Sequence, residues 1–120
     1  MKNFKIVLDL INKLMSISDN LVEKEEKDAK ADGYNCAVSC IKSSIKSRVE
    51  YLLEMIDGET QETISEVSEC YDTLNSMIQI LQSECKEESG NLNFDIGFCQ
   101  LLSECLPKLT EMLKKYECLL

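Results

Sequence analysis

The sequence predicts an all-α protein, an antiparallel bundle of four helices, and three observations carry that prediction. Helix interrupters are scarce, with one Pro and four Gly in 120 residues. Apolar residues recur at steps of three and four, the spacing of a single helix face. Aromatics make up 6% of the chain, and a sheet would want more of them, along with more Val and Thr. At 13.7 kDa the chain fits one domain, residues 1–120, which buries roughly two thirds of its unfolded surface.

The first helix is expected from Asn3 to about Ala31. Phe4, Val7, Leu8, Ile11, Leu14, Met15, Leu21 and Val22 line its inner face, and its end runs into the mixed charges of Glu23 to Asp32. Gly33 and Asn35 offer a stop and a new N-cap, although one Gly inside a helix costs only about 1 kcal/mol. A continuous helix through Gly33 would reduce the bundle to three.

A second helix is expected from about Cys36 to Asp57, with Val38, Ile41, Ile45, Val49, Leu52 and Ile56 inward and a stop at Gly58. Thr60 then caps the third helix, where Ile64, Val67, Tyr71, Leu74, Ile78, Leu81 and Cys85 keep a heptad spacing. Ser89, Gly90 and Asn91 form a loop. With Asn93 as cap, the fourth helix starts at Phe94 and buries Phe98, Leu102, Cys105, Leu109, Met112 and Tyr116. Pro107 denies the Ser103 carbonyl its donor, so a kink or short break is expected near Ser103 to Leu106.

The net charge of −9 sits in the middle third of the chain. From Val49 to Cys85 there are nine acids (Glu50, Glu54, Asp57, Glu59, Glu62, Glu66, Glu69, Asp72 and Glu84) and no Lys or Arg. Such a field attracts basic surfaces and repels nucleic acid and anionic membranes. Wound as a helix, Glu59, Glu62, Glu66, Glu69 and Asp72 form an outward stripe opposite the heptad seam. It is either a solvated face or a docking surface for a basic groove, with Met77 and Ile80 adding apolar contact beside it. Direct nucleic-acid binding is not expected, because the basic cluster Lys42, Lys46 and Arg48 is too small beside the acids. Its simplest role is to pair with acids on a neighbouring helix or subunit.

On the second helix Cys36, Cys40, Ser43 or Ser44, Ser47 and Tyr51 form a small-residue line opposite the apolar stripe. Small side chains admit another backbone closely, so the line fits a homodimer seam as well as an ordinary polar surface. Cys36 and Cys40 also form a Cys-x-x-x-Cys pair. In a four-helix bundle that pair resembles those of the bacterial copper-storage proteins, and the resemblance implies Cu(I) or Zn(II) held by thiolates. Those proteins repeat the pair on several helices, whereas Cys70, Cys85, Cys99, Cys105 and Cys118 stand singly here. Cys85 and Cys105 occupy core positions, where Cys serves as a small hydrophobe, and Cys118 projects outward near a fraying end.

With no His and no Trp, the chain lacks an imidazole base, a Cys-His or Ser-His pair and a zincin motif. Its glycines stand isolated at Gly33, Gly58, Gly90 and Gly97, which gives no phosphate-binding loop. No cofactor and no enzymatic activity are expected. Asp9, Asn12 and Lys13 interrupt the first apolar run, and no stretch reaches the roughly 20 apolar residues of a membrane span. Reduced thiols in a cytoplasmic protein follow from seven cysteines without an export signal. In size, acidity and helix content the chain is similar to phage anti-defence inhibitors and bacterial immunity proteins. The resulting expectation is a non-enzymatic inhibitor or adaptor that occludes a basic surface of a partner protein, with a self-assembling scaffold subunit or a thiolate metal-binding bundle as alternatives.

Overall fold

Helices α1 (Lys5–Asp19), α2 (Ala29–Asp57), α3 (Glu66–Cys85) and α4 (Leu92–Leu119) pack as a helical bundle in a computed structural model that describes residues 4–57 and 66–120. Among the described residues there is no strand, and no helix is long and apolar enough to cross a membrane. The expected stop at Gly58, cap at Thr60 and seam residue Ile64 lie outside the described residues.

The boundary between the first two helices differs from expectation. α1 ends at Asp19, and residues 21–27 are non-helical despite the helix-favouring Glu and Lys among them. Their charged side chains have no apolar face to bury, so propensity alone does not hold a helix there. The segment is fastened instead. The Asn35 side chain accepts from the Lys24 backbone N–H at 2.7 Å and donates to the Lys24 carbonyl at 3.0 Å. The Lys24 ammonium lies 4.6 Å from the centre of the Tyr34 ring. Asp28 then caps α2 by accepting from the Ala31 N–H at 2.8 Å. Helix α2 therefore starts seven residues earlier than Cys36, and Asn35 is a clasp within it rather than its cap. At roughly 1.5 Å per residue α1 is about 22 Å long and α2 about 44 Å. One helix covers only half of the other, and the extended strap runs beside the remainder.

Gly33 is no stop either. It sits inside α2 against α4, where a Cβ would collide with the Phe94 carbonyl. Gly97 answers from α4, where a Cβ would strike the Lys30 carbonyl and lie 3.0 Å from the Tyr34 nitrogen. Two helices approach this closely only where neither carries a side chain. Further along, the Tyr34 hydroxyl donates to Glu104 at 3.0 Å. Across α2 and α3, Cys40 lies near Glu84 and Tyr51 near Glu69, and across α3 and α4, Cys85 lies near Cys99 and Cys70 near Tyr116. Both pairs of helices are antiparallel, so α2 and α4 run parallel. They form the most extensive contact in the molecule, while consecutive helices alternate in direction.

Helix α4 packs on α3 as well, α1 closes the side formed by α2 and α3, and α2 scarcely meets α3 directly. The core is one cluster in which Leu10, Leu14, Ile41, Ile45, Leu52, Leu74, Met77, Leu81, Leu101, Leu102, Leu109 and Tyr116 are fully buried. Leu8 and Met15, expected inside, are 47% and 48% exposed, and Leu10 takes the inner position. At the α3–α4 turn Gly90 adopts φ +93°, and Asn91 caps α4 by accepting from the Phe94 N–H at 3.2 Å, two residues ahead of Asn93. α4 passes through Pro107 without a break. Ser103 and Pro107 both face solvent, so water can satisfy the carbonyl that the proline leaves without a donor.

Candidate functional site

The register of α3 decides where its acids point. Its buried face is Cys70, Thr73, Leu74, Met77, Ile78 and Leu81, while Val67, Tyr71 and Cys85 are only partly buried. On a wheel of about 100° per residue this rotates the helix by roughly 60° from the heptad reading. Two seams compete in the sequence, and the one containing the smaller residues Cys70 and Thr73 is used. The rotation has two consequences for the expected site. Met77 is fully buried and supplies no surface contact, which corrects its assignment as a partner-binding residue. Glu66 and Glu69 sit half-buried at the edge of the core instead of pointing outward, whereas Asp72 and Ile80 are exposed. Glu59 and Glu62 lie outside the described residues.

Glu69 and Asp72 line an open groove of about 420 Å³ between α2 and α3, together with Ser47, Arg48, Tyr51, Thr73 and Ser76. The Glu69 carboxylate beside the Tyr51 hydroxyl, with partial burial, raises that phenol's pKa. Arg48 shares the groove but makes no ion pair within 4.0 Å of a described carboxylate. Lys42 and Lys46 lie on the other side of α2, in a groove with Met15, Ser18 and Asp19 of α1. The apparent basic cluster is thus split across the helix. Glu50, Glu54 and Asp57 near the end of α2 are exposed, and among the described residues none has a Lys or Arg partner.

One carboxylate between α1 and α4 is neutralised. Asp9 on α1 holds Lys13 at 3.0 Å and Lys115 of α4 at 3.3 Å. The Lys13 contact foremost, with Lys115 adding to it, lowers the Asp9 pKa.

On α2, Cys36, Ser47 and Tyr51 are exposed and Cys40 is half-buried. At about 100° per residue the four fall within an arc of roughly 60°, as the small-residue line requires. Cys40 is raised first by burial and then by Cys36 and Glu84. Among the described residues no group of three or more Cys, Asp or Glu has a geometry that would hold a metal, so the pair finds no further ligand there. Cys70 and Cys105 are buried in the core, and Cys118 is exposed at the end of α4.

A juxtaposition that sequence reasoning missed lies at the α3–α4 turn, where the Cys85 and Cys99 sulfurs are 2.7 Å apart. A hairpin register would have signalled it, since these residues flank the connecting loop on antiparallel helices. Set beside known proteins, this four-helix bundle matches no family model, no curated protein and no solved structure.

Proposed function

We propose that this protein is a non-enzymatic binding module whose acidic end, formed by the last turns of α2 and the first turns of α3, occupies a basic surface of a partner protein. The observation that carries the reading is the unequal treatment of carboxylates. Asp9 is given two lysines, while Glu50, Glu54, Asp57 and Asp72 are left exposed and without a cationic partner among the described residues. The last turn of α2 carries no base, and Glu54 and Asp57 lie at the negative end of the helix dipole. Acids there cost a few tenths of a kcal/mol each, an expense that solubility alone does not demand. The half-buried Glu66 and Glu69 form the inner wall of this surface, the exposed Ile80 adds an apolar contact further along α3, and Glu59 and Glu62 extend the acid run in sequence.

The mechanism is occlusion. An acidic end competes with whatever polyanion the partner's basic surface normally holds, nucleic acid included, and the binder acts as an inhibitor or adaptor in the cytoplasm. Reversing Glu54, Asp57 and Asp72 to Lys changes exposed positions only, so the helical circular dichroism is expected to persist. Capture of the partner from the source cell should fall at least tenfold, and wild-type capture should weaken as salt shortens the Debye length. Equal recovery of the same partner by wild type and triple variant overturns the proposal.

A further inference from the structure

We propose that Cys85 and Cys99 are a reversible disulfide site that joins the end of α3 covalently to the second turn of α4. The two sulfurs approach to 2.7 Å, and the Cys99 thiol also lies 3.2 Å from the Cys85 carbonyl oxygen. A disulfide bond is about 2.05 Å long, so closing the gap takes a movement of well under 1 Å. The antiparallel helices fix the pair, and the turn between them is itself anchored. Gly90 supplies the positive φ, Asn91 caps α4, and the Ser89 N–H donates to Asp95 at 3.2 Å.

Geometry separates this pair from the other thiols. Cys85 and Cys99 are half-buried and open to a small reagent, Cys70 and Cys105 are sealed in the core, and Cys118 stands at the far end of α4. Cys36 and Cys40 are accessible as well, but they share one helix, whereas Cys85 and Cys99 bring two sulfurs together across two helices. The Cys99 thiol is pushed up to about 11, first by its contact with Cys85 and then by burial, so it keeps its proton at neutral pH. With the Cys99 thiol turned to the Cys85 carbonyl at 3.2 Å, Cys85 is taken as the entry nucleophile.

The oxidant is a low-molecular-weight disulfide of the glutathione type. The Cys85 sulfur, its proton released to water, attacks one sulfur of that disulfide, forms a mixed disulfide and expels one thiolate. The Cys99 sulfur then loses its proton and attacks the Cys85 sulfur, which expels the second thiolate. Two protein thiols lose two electrons and two protons, and the reagent gains them as two thiols. The product is a ring of 15 residues, 85 through 99, around a turn that already has its native shape. Closing so short a loop restricts the unfolded chain while barely disturbing the folded one.

The test incubates the full chain in mixed reduced and oxidised glutathione, blocks free thiols with N-ethylmaleimide, and maps peptides without reduction. Cleavage after Lys86 separates the two cysteines, and cleavage after Glu84 and Glu104 separates them from Cys70 and Cys105. The expected result is a single Cys85–Cys99 link, the loss of two hydrogens in intact mass, reversal by dithiothreitol, and a higher thermal midpoint for the oxidised protein. The Cys85→Ala/Cys99→Ala variant should show no midpoint difference between the two buffers. Independent blocking of both thiols, stable glutathione adducts on either, or a link to any other cysteine would overturn the proposal.

Discussion

The two halves of α2 meet the rest of the molecule in opposite ways. Around Lys30 to Tyr34 the helix lies backbone to backbone against α4, and the fit there depends on side chains that are missing at Gly33 and Gly97. From Ile45 to Asp57 it contributes Ile45, Leu52 and Met55 to the core, and the fit depends on side chains that are present. The first kind of contact is broken by adding one carbon and the second by removing several. Adding one carbon is as harsh here as removing several, because a carbonyl oxygen held in a helix cannot rotate aside as a side chain can.

The largest expected effect follows from that asymmetry. Gly33→Ala should gain about 1 kcal/mol in helix propensity and lose more, since its Cβ would overlap the Phe94 carbonyl and force the helices apart. A net loss of about 3 kcal/mol or more is expected for Gly33→Ala and likewise for Gly97→Ala. That places one added methyl group on a par with Leu52→Ala, a core truncation expected to cost about 2–5 kcal/mol. Gly90→Ala is the control, because its φ of +93° is strained for Ala but nothing lies within 4 Å of the new carbon. It should cost about 1 kcal/mol. Urea unfolding of the three glycine variants decides the matter, and similar losses for Gly33→Ala and Gly90→Ala would erase the contrast between the halves.

The same contrast explains what could be read in advance. Ile41, Ile45, Leu52, Leu74, Leu102, Leu109 and Tyr116 are large residues at helical spacing, and all seven are buried as their periodicity predicts. The close crossing was illegible because Gly33 looks the same in sequence whether it ends a helix or lets another one approach. The start of α2 was hidden for a related reason. What fixes it is the clasp of Asn35 on Lys24, a contact across 11 residues, and no local propensity encodes it. In α3 two overlapping seams satisfied the periodicity, and the larger residues at Val67 and Tyr71 pointed to the wrong one. The acidic end was legible as composition, but its orientation depended on that register, so Met77 was misplaced while Asp72 and Ile80 were not.

A second way to sharpen the comparison is alkaline titration, because the side-chain half of the core buries groups that must stay protonated. Burial foremost, with Glu66 and Glu69 nearby, raises the Cys70 thiol from 9.0 to about 12, and burial also raises the Tyr116 phenol, whose hydroxyl has no hydrogen-bond partner. A raised folded-state pKa means that the unfolded chain releases the proton first as pH rises. The stabilisation is therefore complete below pH 9.0 and is lost progressively between 9.0 and about 12. Cys70→Ala should lower stability at neutral pH through a small cavity, yet its stability should fall less steeply with pH across that window. Chemical denaturation at several pH values from 8 upward would show this, and parallel slopes for wild type and variant would mean that Cys70 does not carry the effect.

The smallest expected effect belongs to the strap beside the glycine half. The Asn35 amide is the only described side chain that bonds the strap's Lys24 backbone, through both its N–H and its carbonyl. Asn35→Ala removes both bonds, and intramolecular hydrogen bonds of this kind contribute about 1 kcal/mol each. Lys24 keeps its contact with the Tyr34 ring and lies where water can replace the lost partners, so the net change in global unfolding should stay near 1 kcal/mol. Local opening is more sensitive, because the strap buries little apolar surface with which to resist it. Trypsin should cut after Lys24 and Lys27 several-fold faster in Asn35→Ala than in wild type under native conditions, with α2 and α4 remaining protected. If the rates are equal, the strap is held by Leu21 and the charged side chains rather than by the amide. If α2 is cut as well, the clasp supports the glycine crossing, and the two halves of the helix are less independent than their packing implies.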